Sequence, residues 1–219
     1  MKKVLFITLI LIAVIIALSV FANRNVDNAA QDLNQQTNTS EGMEQIADME
    51  SYFAMLKDKE NNIKEMSYEI ESKMGENKTI GKFFKKDNMR RIENKTGDIE
   101  TISIVDYDSN KIITYLPNEK KAFAEVLDTN KSDTLMNFPT QATKDIKTYN
   151  KGEMTEKNGY ICQMLVADDN TASMCASEEF GIPVWAESNG MEMNVKNIST
   201  FPVDTELFTI PDGVQIVQR

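Results

Sequence analysis

Hydrophobic and polar positions alternate with a period of two along most of the chain after residue 62, as in β-strands that bury one face. Met66, Tyr68 and Ile70, for example, are separated by Ser67 and Glu69. Turn-forming Gly, Asn, Asp and Pro residues interrupt the alternation roughly every 8–12 residues, which predicts an antiparallel meander. The predicted strands are 66–70, 80–84, 89–93, 99–105, 111–116, 122–126, 160–167, 171–176, 184–187 and 191–198.

A helical period appears before these strands. From Met43 to Leu56, hydrophobic residues recur at steps of three and four, which predicts an amphipathic helix that covers the sheet. Ser40 stands where the N-cap of that helix is expected. A second, short helix is predicted over 132–138, where Pro139 stops it.

The first 22 residues are predicted to be a secretion signal or an N-terminal membrane anchor. Lys2 and Lys3 precede an uninterrupted apolar run that ends at Ala22, a small residue suited to cleavage. The run is also just long enough to span a bilayer, so both alternatives stay open. Either one places the rest of the chain outside the cytoplasm, in the periplasm or its equivalent, as a soluble or an anchored protein. Residues 23–40 are rich in Asn and Gln and are predicted to be a disordered spacer before a domain at 41–219.

Charge and composition exclude several functions. The chain has 24 basic and 34 acidic residues, a net charge of −10, and no stripe of Lys or Arg for nucleic acid. It contains no histidine, which removes the usual zinc sites and the common nucleophile–histidine systems. We therefore expect no metal, no cofactor, no catalytic residues and no enzymatic activity.

The two cysteines are predicted to form a disulfide. If residues 168–170 are the tip of a hairpin, Cys162 stands directly opposite Cys175 on the neighbouring strand. Facing cysteines in an exported protein favour a structural disulfide.

Three separated stretches carry a resemblance to a known family. Residues 68–93 contain a glycine-led strand followed by an "Arg-hydrophobic-Glu" strand at Arg91–Glu93. Residues 106–117 match the hairpin that follows, with an aromatic residue before a "Pro-x-x-Lys" turn. Residues 201–213 end in a "Phe-x-Ile-Pro-x-Gly" sequence. In order and spacing these stretches resemble the periplasmic lipoprotein-carrier (LolA-like) superfamily, and the ending resembles its small DUF-type members.

The resemblance implies a fold and a set of site residues. The fold would be α+β: a half-open antiparallel β-barrel covered by helices, with an apolar cavity for acyl chains. Twelve methionines lie beyond residue 22, and these flexible, polarizable side chains suit such a lining. An arginine of an early strand would contact the helical lid, and Arg90 or Arg91 matches it, Arg91 better. The predicted cavity-lining residues are Phe53, Met55, Tyr68, Ile70, Phe84, Ile102, Tyr115, Met164, Met191 and Met193.

The expected function is non-catalytic binding of a lipid or an acylated protein outside the cytoplasm, including the transport of lipoproteins. The alternative is an envelope sensor or protein-interaction module with a LolA-like fold, whose partner is an envelope membrane protein. We expect a monomer that binds no nucleic acid.

Overall fold

The structure is a computed structural model that describes residues 40–127 and 149–218, with side chains from residue 48 onward. Twelve strands form one sheet in the order β12-β6-β5-β4-β3-β2-β1-β11-β10-β9-β8-β7. Neighbouring strands are antiparallel, except that β12 is parallel to β6. The elements in chain order are helix α1 (Ser40–Asn62), β1 (Glu65–Met74), β2 (Asn77–Lys86), β3 (Met89–Thr96), β4 (Ile99–Asp106), β5 (Lys111–Leu116), a 3₁₀ helix (Pro117–Glu119), β6 (Lys121–Val126), β7 (Tyr149–Lys157), β8 (Tyr160–Ala167), β9 (Ala172–Ser177), β10 (Ile182–Ser188), β11 (Met191–Ser199), a second 3₁₀ helix (Thr205–Phe208) and β12 (Gln215–Gln218).

The predicted fold class, a half-open barrel covered by helices, is wrong. The strands form an open sheet whose end strands, β12 and β7, do not pair with each other, and among the described residues α1 is the single α-helix. Alternation with a period of two is identical in an open sheet and in a barrel, so the sequence pattern carries no information about closure. The predicted anchor at 1–22, the spacer up to residue 39 and the helix at 132–138 lie outside the described residues. Within the described part of the chain, no helix is both long and apolar enough to cross a membrane.

The ten predicted strands are all present, and two further strands were missed. β7 was not predicted because its sequence is mostly polar and contains Gly152. The middle of the strand has one large apolar residue, Met154. β12 has four residues, all of them exposed, and is too short to show a period. Both are end strands, each with a neighbouring strand along one edge only. Fewer of their side chains are buried, so their sequences need no hydrophobic pattern.

The two sides of the sheet differ, because side chains alternate across each strand and paired residues point to the same side. We call the side against which α1 packs the helix face. In β1, β2 and β3 it carries Met66, Lys85 and Arg90, which pair across the three strands. The core under α1 is a buried cluster in which helix residues pack on strands β8 and β9. Its members are Met49, Tyr52, Phe53, Leu56, Leu165, Met174 and Ala176.

The predicted disulfide is present, but the predicted register of its hairpin is wrong by two residues. Met164, not Cys162, pairs with Cys175, because the loop between β8 and β9, residues 168–171, is centred one residue later than a pairing of Cys162 with Cys175 requires. Cys162 and Cys175 are nevertheless joined, with their Cα atoms 5.3 Å apart, and both are buried beside Val184. A disulfide indicates an oxidising compartment and therefore an extracytoplasmic location.

We expect removal of this disulfide to lower the free energy of unfolding by about 2–3 kcal/mol, because the covalent bond restricts the unfolded chain. The double variant Cys162→Ala/Cys175→Ala, compared with the oxidised wild type in urea, measures the loss. Reducing the wild type should shift its unfolding midpoint in the same direction. An unchanged midpoint in both experiments would show that the disulfide does not stabilise the domain.

Candidate binding face

The structure divides the predicted cavity-lining residues between the two sides of the sheet and the helix. Phe53 is buried in the core under α1, and Met55 packs against that core. The register then separates the eight strand residues into two groups. Tyr68, Ile70, Met191 and Met193 lie on the helix face, whereas Phe84, Ile102, Tyr115 and Met164 lie on the opposite side. One surface therefore cannot contain all ten.

The four residues on the helix face belong to neighbouring strands. Ile70 of β1 pairs with Val195 of β11, and further along the same pair of strands Met74 stands opposite Met191. Met193, opposite Ser72, lies between these pairs. The apolar side chains of β1 and β11 thus form a continuous row along the helix face.

Met74 completes this row and was missed by the sequence analysis. It is 57% exposed, while Met191 and Met193 are half-buried. Met74 is in phase with Ile70 in the period-two pattern, so extending the predicted strand by four residues would have found it. We call Ile70, Met74, Met191 and Met193 the methionine row.

Towards α1, the row continues into a buried cluster that contains Met66, Phe83 and Val195. The rings of Tyr68 and Phe83 stack with their centroids 4.6 Å apart and their planes 18° apart. Burial, and next the negative charge of Glu60, raise the pKa of the Tyr68 hydroxyl, so this group stays neutral. This end of the helix face is therefore a packed cluster.

A buried group of charges joins α1 to the sheet. Lys85 Nζ donates to Glu60 Oε1 at 2.6 Å and also to the Glu60 backbone carbonyl. Arg90 Nη2 lies 3.6 Å from the same Glu60 oxygen, and Arg90 Nη1 donates to the carbonyl oxygens of Asp87 and Met89. Burial lowers the pKa of both Lys85 and Arg90, an effect that Glu60 opposes. One carboxylate therefore serves two buried cations.

The two arginines singled out from the sequence have opposite surroundings. Arg90 contacts α1 through Glu60, as described above. Arg91 points to the other side of the sheet, where its Nη2 lies 2.8 Å from Glu93 and its Nη1 donates to the Leu207 carbonyl of the C-terminal segment. Position 90, and not 91, is in contact with the helix.

Glu60 and Lys85 were missed by the sequence analysis, although both are in phase with hydrophobic neighbours. Glu60 continues the helical stripe of Phe53 and Leu56 at a step of four, and Lys85 follows Phe83 at a step of two. A charged residue in phase with buried neighbours is the signal that it needs a buried partner, although the pattern does not say which two charges meet.

A shallow cleft of about 440 Å³ lies apart from the methionine row. It contains none of the predicted lining residues. Its walls come from the segment after α1 and from the segment after β11: Ile63, Lys64, Glu65, Thr200 and Pro202. In residues 40–127 and 149–218, no cluster of three or more Cys, Asp or Glu side chains is placed to hold a metal ion.

Comparisons with known proteins give a fold and no family. No protein-family model and no curated protein sequence matches the chain. Among solved structures, an uncharacterized conserved protein from Thermus thermophilus matches with a TM-score of 0.55 and 10% identity, over 76% of this chain and 98% of that one. At this identity the likeness shows a shared fold and nothing about activity.

Structures of MucB also match. MucB alone has a TM-score of 0.49 and 9% identity, over 78% of this chain and 66% of that one. In the MucA/MucB complex from Pseudomonas aeruginosa the corresponding values are 0.42, 8%, 71% and 60%. This chain thus spans less than two thirds of the MucB chains, and TM-scores below 0.5 support no transfer of partner or ligand. The LolA-like resemblance, the small-family assignment and the C-terminal motif therefore stay predictions.

Proposed function

We propose that this chain is a non-catalytic, extracytoplasmic binding module that takes up the acyl chain of a lipid or of an acylated protein along the helix face of strands β1 and β11. The observation that supports this proposal is the methionine row, in which four apolar side chains of adjacent strands share one side of the sheet. Three of its members are half-buried or exposed methionine side chains, which adapt to irregular apolar ligands.

The driving force would be the removal of methylene groups from water, at about 0.8 kcal/mol for each one buried. Eight buried methylenes would contribute roughly 6 kcal/mol, before the cost of ordering the ligand. That is sufficient for reversible binding and does not require a closed cavity. Met74, Met191 and Met193 lie at the end of β1 and the start of β11, and none of them belongs to the core under α1.

We expect Met191→Asp to weaken binding of a fluorescent sixteen-carbon fatty acid by roughly tenfold or more, because a carboxylate placed in the row must be desolvated when the chain binds. Titration of the purified protein with the fatty acid, followed by native mass spectrometry without detergent, measures affinity and stoichiometry. Ile70→Asp should have the same effect, with an added cost in stability because Ile70 packs on the buried cluster.

Ile80→Asp is the matched control. Ile80 is 47% exposed and belongs to β2, opposite Glu71, on the other side of the sheet. The same substitution there should leave fatty-acid binding unchanged. Equal losses in Met191→Asp and Ile80→Asp would show that the ligand does not use the helix face. A wild-type protein that takes up neither fatty acid nor phospholipid would refute lipid binding and favour the protein-interaction module.

A further inference from the structure

The two end strands of the sheet differ in their chemistry. β7 carries Lys151, Glu153, Glu156 and Lys157, and its pairing with β8 is interrupted by a bulge after Lys151. Charges and bulges are the devices that keep a sheet edge from pairing with another chain. β12 has neither of them, since Val214–Gln218 contains no charged residue and its pairing with β6 is regular.

The main chain of β12 has a defined direction of hydrogen bonding. The Gln215 N–H donates to the Lys120 carbonyl, 3.2 Å away, on the β6 side. In a parallel pair, alternate residues direct both main-chain groups to the same neighbour, so Val217 also bonds towards β6. The N–H and C=O groups of Ile216 and Gln218 therefore point outward, away from the sheet. The side chains of Ile216 and Val217 are 47% and 37% exposed.

We infer that β12 is an edge for self-association, and that its occupant is β12 of a second copy of this chain, added antiparallel about a two-fold axis at Ile216. In this register Ile216 pairs with its own counterpart, and Gln215 faces Val217 of the other copy. Val214 similarly faces Gln218. The outward groups of Ile216 then form the two hydrogen bonds of a closely spaced pair.

Charge selects this edge and this occupant. Each chain has a net charge of −10, so two copies repel each other over most of their surfaces. Val214–Gln218 is a segment where both copies can meet without opposing like charges. The contact is also symmetric, because both copies contribute the same uncharged residues to it. At β7, by contrast, each copy would bring two lysines and two glutamates to the edge.

The edge is short, so the association is weak. A stable dimer buries about 800 Å² on each partner, and strands of four residues bury much less. The dimer should therefore form at high protein concentration, or where chains are held close together, and dissociate on dilution.

A cysteine at the symmetry axis tests the register. In a hydrogen-bonded antiparallel pair the Cα atoms are about 5.5 Å apart, which lies within the range that a disulfide spans. Both native cysteines are joined in the disulfide, so an introduced thiol is the only free one. Under mild oxidation, Ile216→Cys should give a covalent dimer at least about tenfold faster than Gln218→Cys, whose thiol faces Val214 of the other copy. Equal rates for the two variants would refute the register.

A proline at the same position tests the edge itself. Ile216→Pro removes an outward N–H and leaves the bonds of Gln215 and Val217 to β6 intact, so the unfolding midpoint should change little. Sedimentation of the full chain over a hundredfold range of concentration should show the mass rising for wild type and staying constant for Ile216→Pro. Met154→Pro on β7 is the control and should associate like wild type. A wild type that stays monomeric throughout, or an Ile216→Pro that associates equally, would overturn the inference.

Discussion

Replacing Glu60 with alanine is expected to lower the free energy of unfolding by about 3–5 kcal/mol, because two buried cations then lose their only shared carboxylate. The side chains of Lys85 and Glu60 are 2% and 10% exposed, and solvent cannot replace the lost contacts. Arg90 keeps the carbonyl oxygens of Asp87 and Met89, and Lys85 keeps the backbone carbonyl of residue 60 but loses its 2.6 Å bond to the carboxylate. Urea unfolding monitored by circular dichroism measures the change.

Lys85→Met is the informative companion to this variant. It removes one cation and leaves Glu60 paired with Arg90, so the expected loss is smaller than for Glu60→Ala, and methionine fills the space of the lysine stem. A greater loss for Lys85→Met than for Glu60→Ala would contradict the assignment of Glu60 as the shared partner. The double variant closes a thermodynamic cycle and gives the coupling energy of the pair.

Gly181→Ala is expected to destabilise the protein by roughly 2–5 kcal/mol, the sum of a backbone cost and a packing cost. Gly181 has φ +70°, and a Cβ built there would lie 2.2 Å from the Leu56 carbonyl oxygen and 2.6 Å from the Glu60 nitrogen. These atoms belong to the backbone of α1, which would have to move away from the sheet. The loss is measured by urea unfolding.

Gly190→Ala separates the two costs. Gly190 has φ +77°, but nothing lies within 4 Å of the position that its Cβ would take. This variant should therefore show the backbone cost alone, roughly 1–2 kcal/mol. Equal losses in the two variants would mean that the close approach of Gly181 to α1 does not contribute to stability.

The hydrophobic pattern predicted the strands well, and the reason is burial. Strands inside the sheet, such as 111–116 and 160–167, have the bounds that the sequence pattern predicts. The missed strands, β7 and β12, are the two ends of the sheet, where one side of the backbone has no neighbour. β7 is mostly polar and β12 is short and exposed, so neither shows alternation.

The candidate site was predicted in part. Tyr68, Ile70, Met191 and Met193 share one face, but four other predicted lining residues lie behind the sheet. Period-two alternation divides the residues of one strand between the two sides of the sheet. It does not show which of these two sets lies on the same side as a given set in the next strand. That relation depends on register, and in the β8–β9 hairpin a loop centred one residue later in the chain shifts the pairing by two residues.

By itself, the sequence determined the antiparallel strands, the amphipathic helix, the disulfide partners and the acidic net charge. Each of these follows from residues close in the chain or from composition, where local periodicity and charge carry the information. Tertiary structure alone decided that the sheet stays open, that Glu60 meets Lys85 and Arg90, and that α1 passes against Gly181. These outcomes depend on contacts between segments far apart in the chain, since Gly181 lies more than a hundred residues from the helix it touches. The register that brings such segments together is set by packing and by loop length, and no local pattern records it.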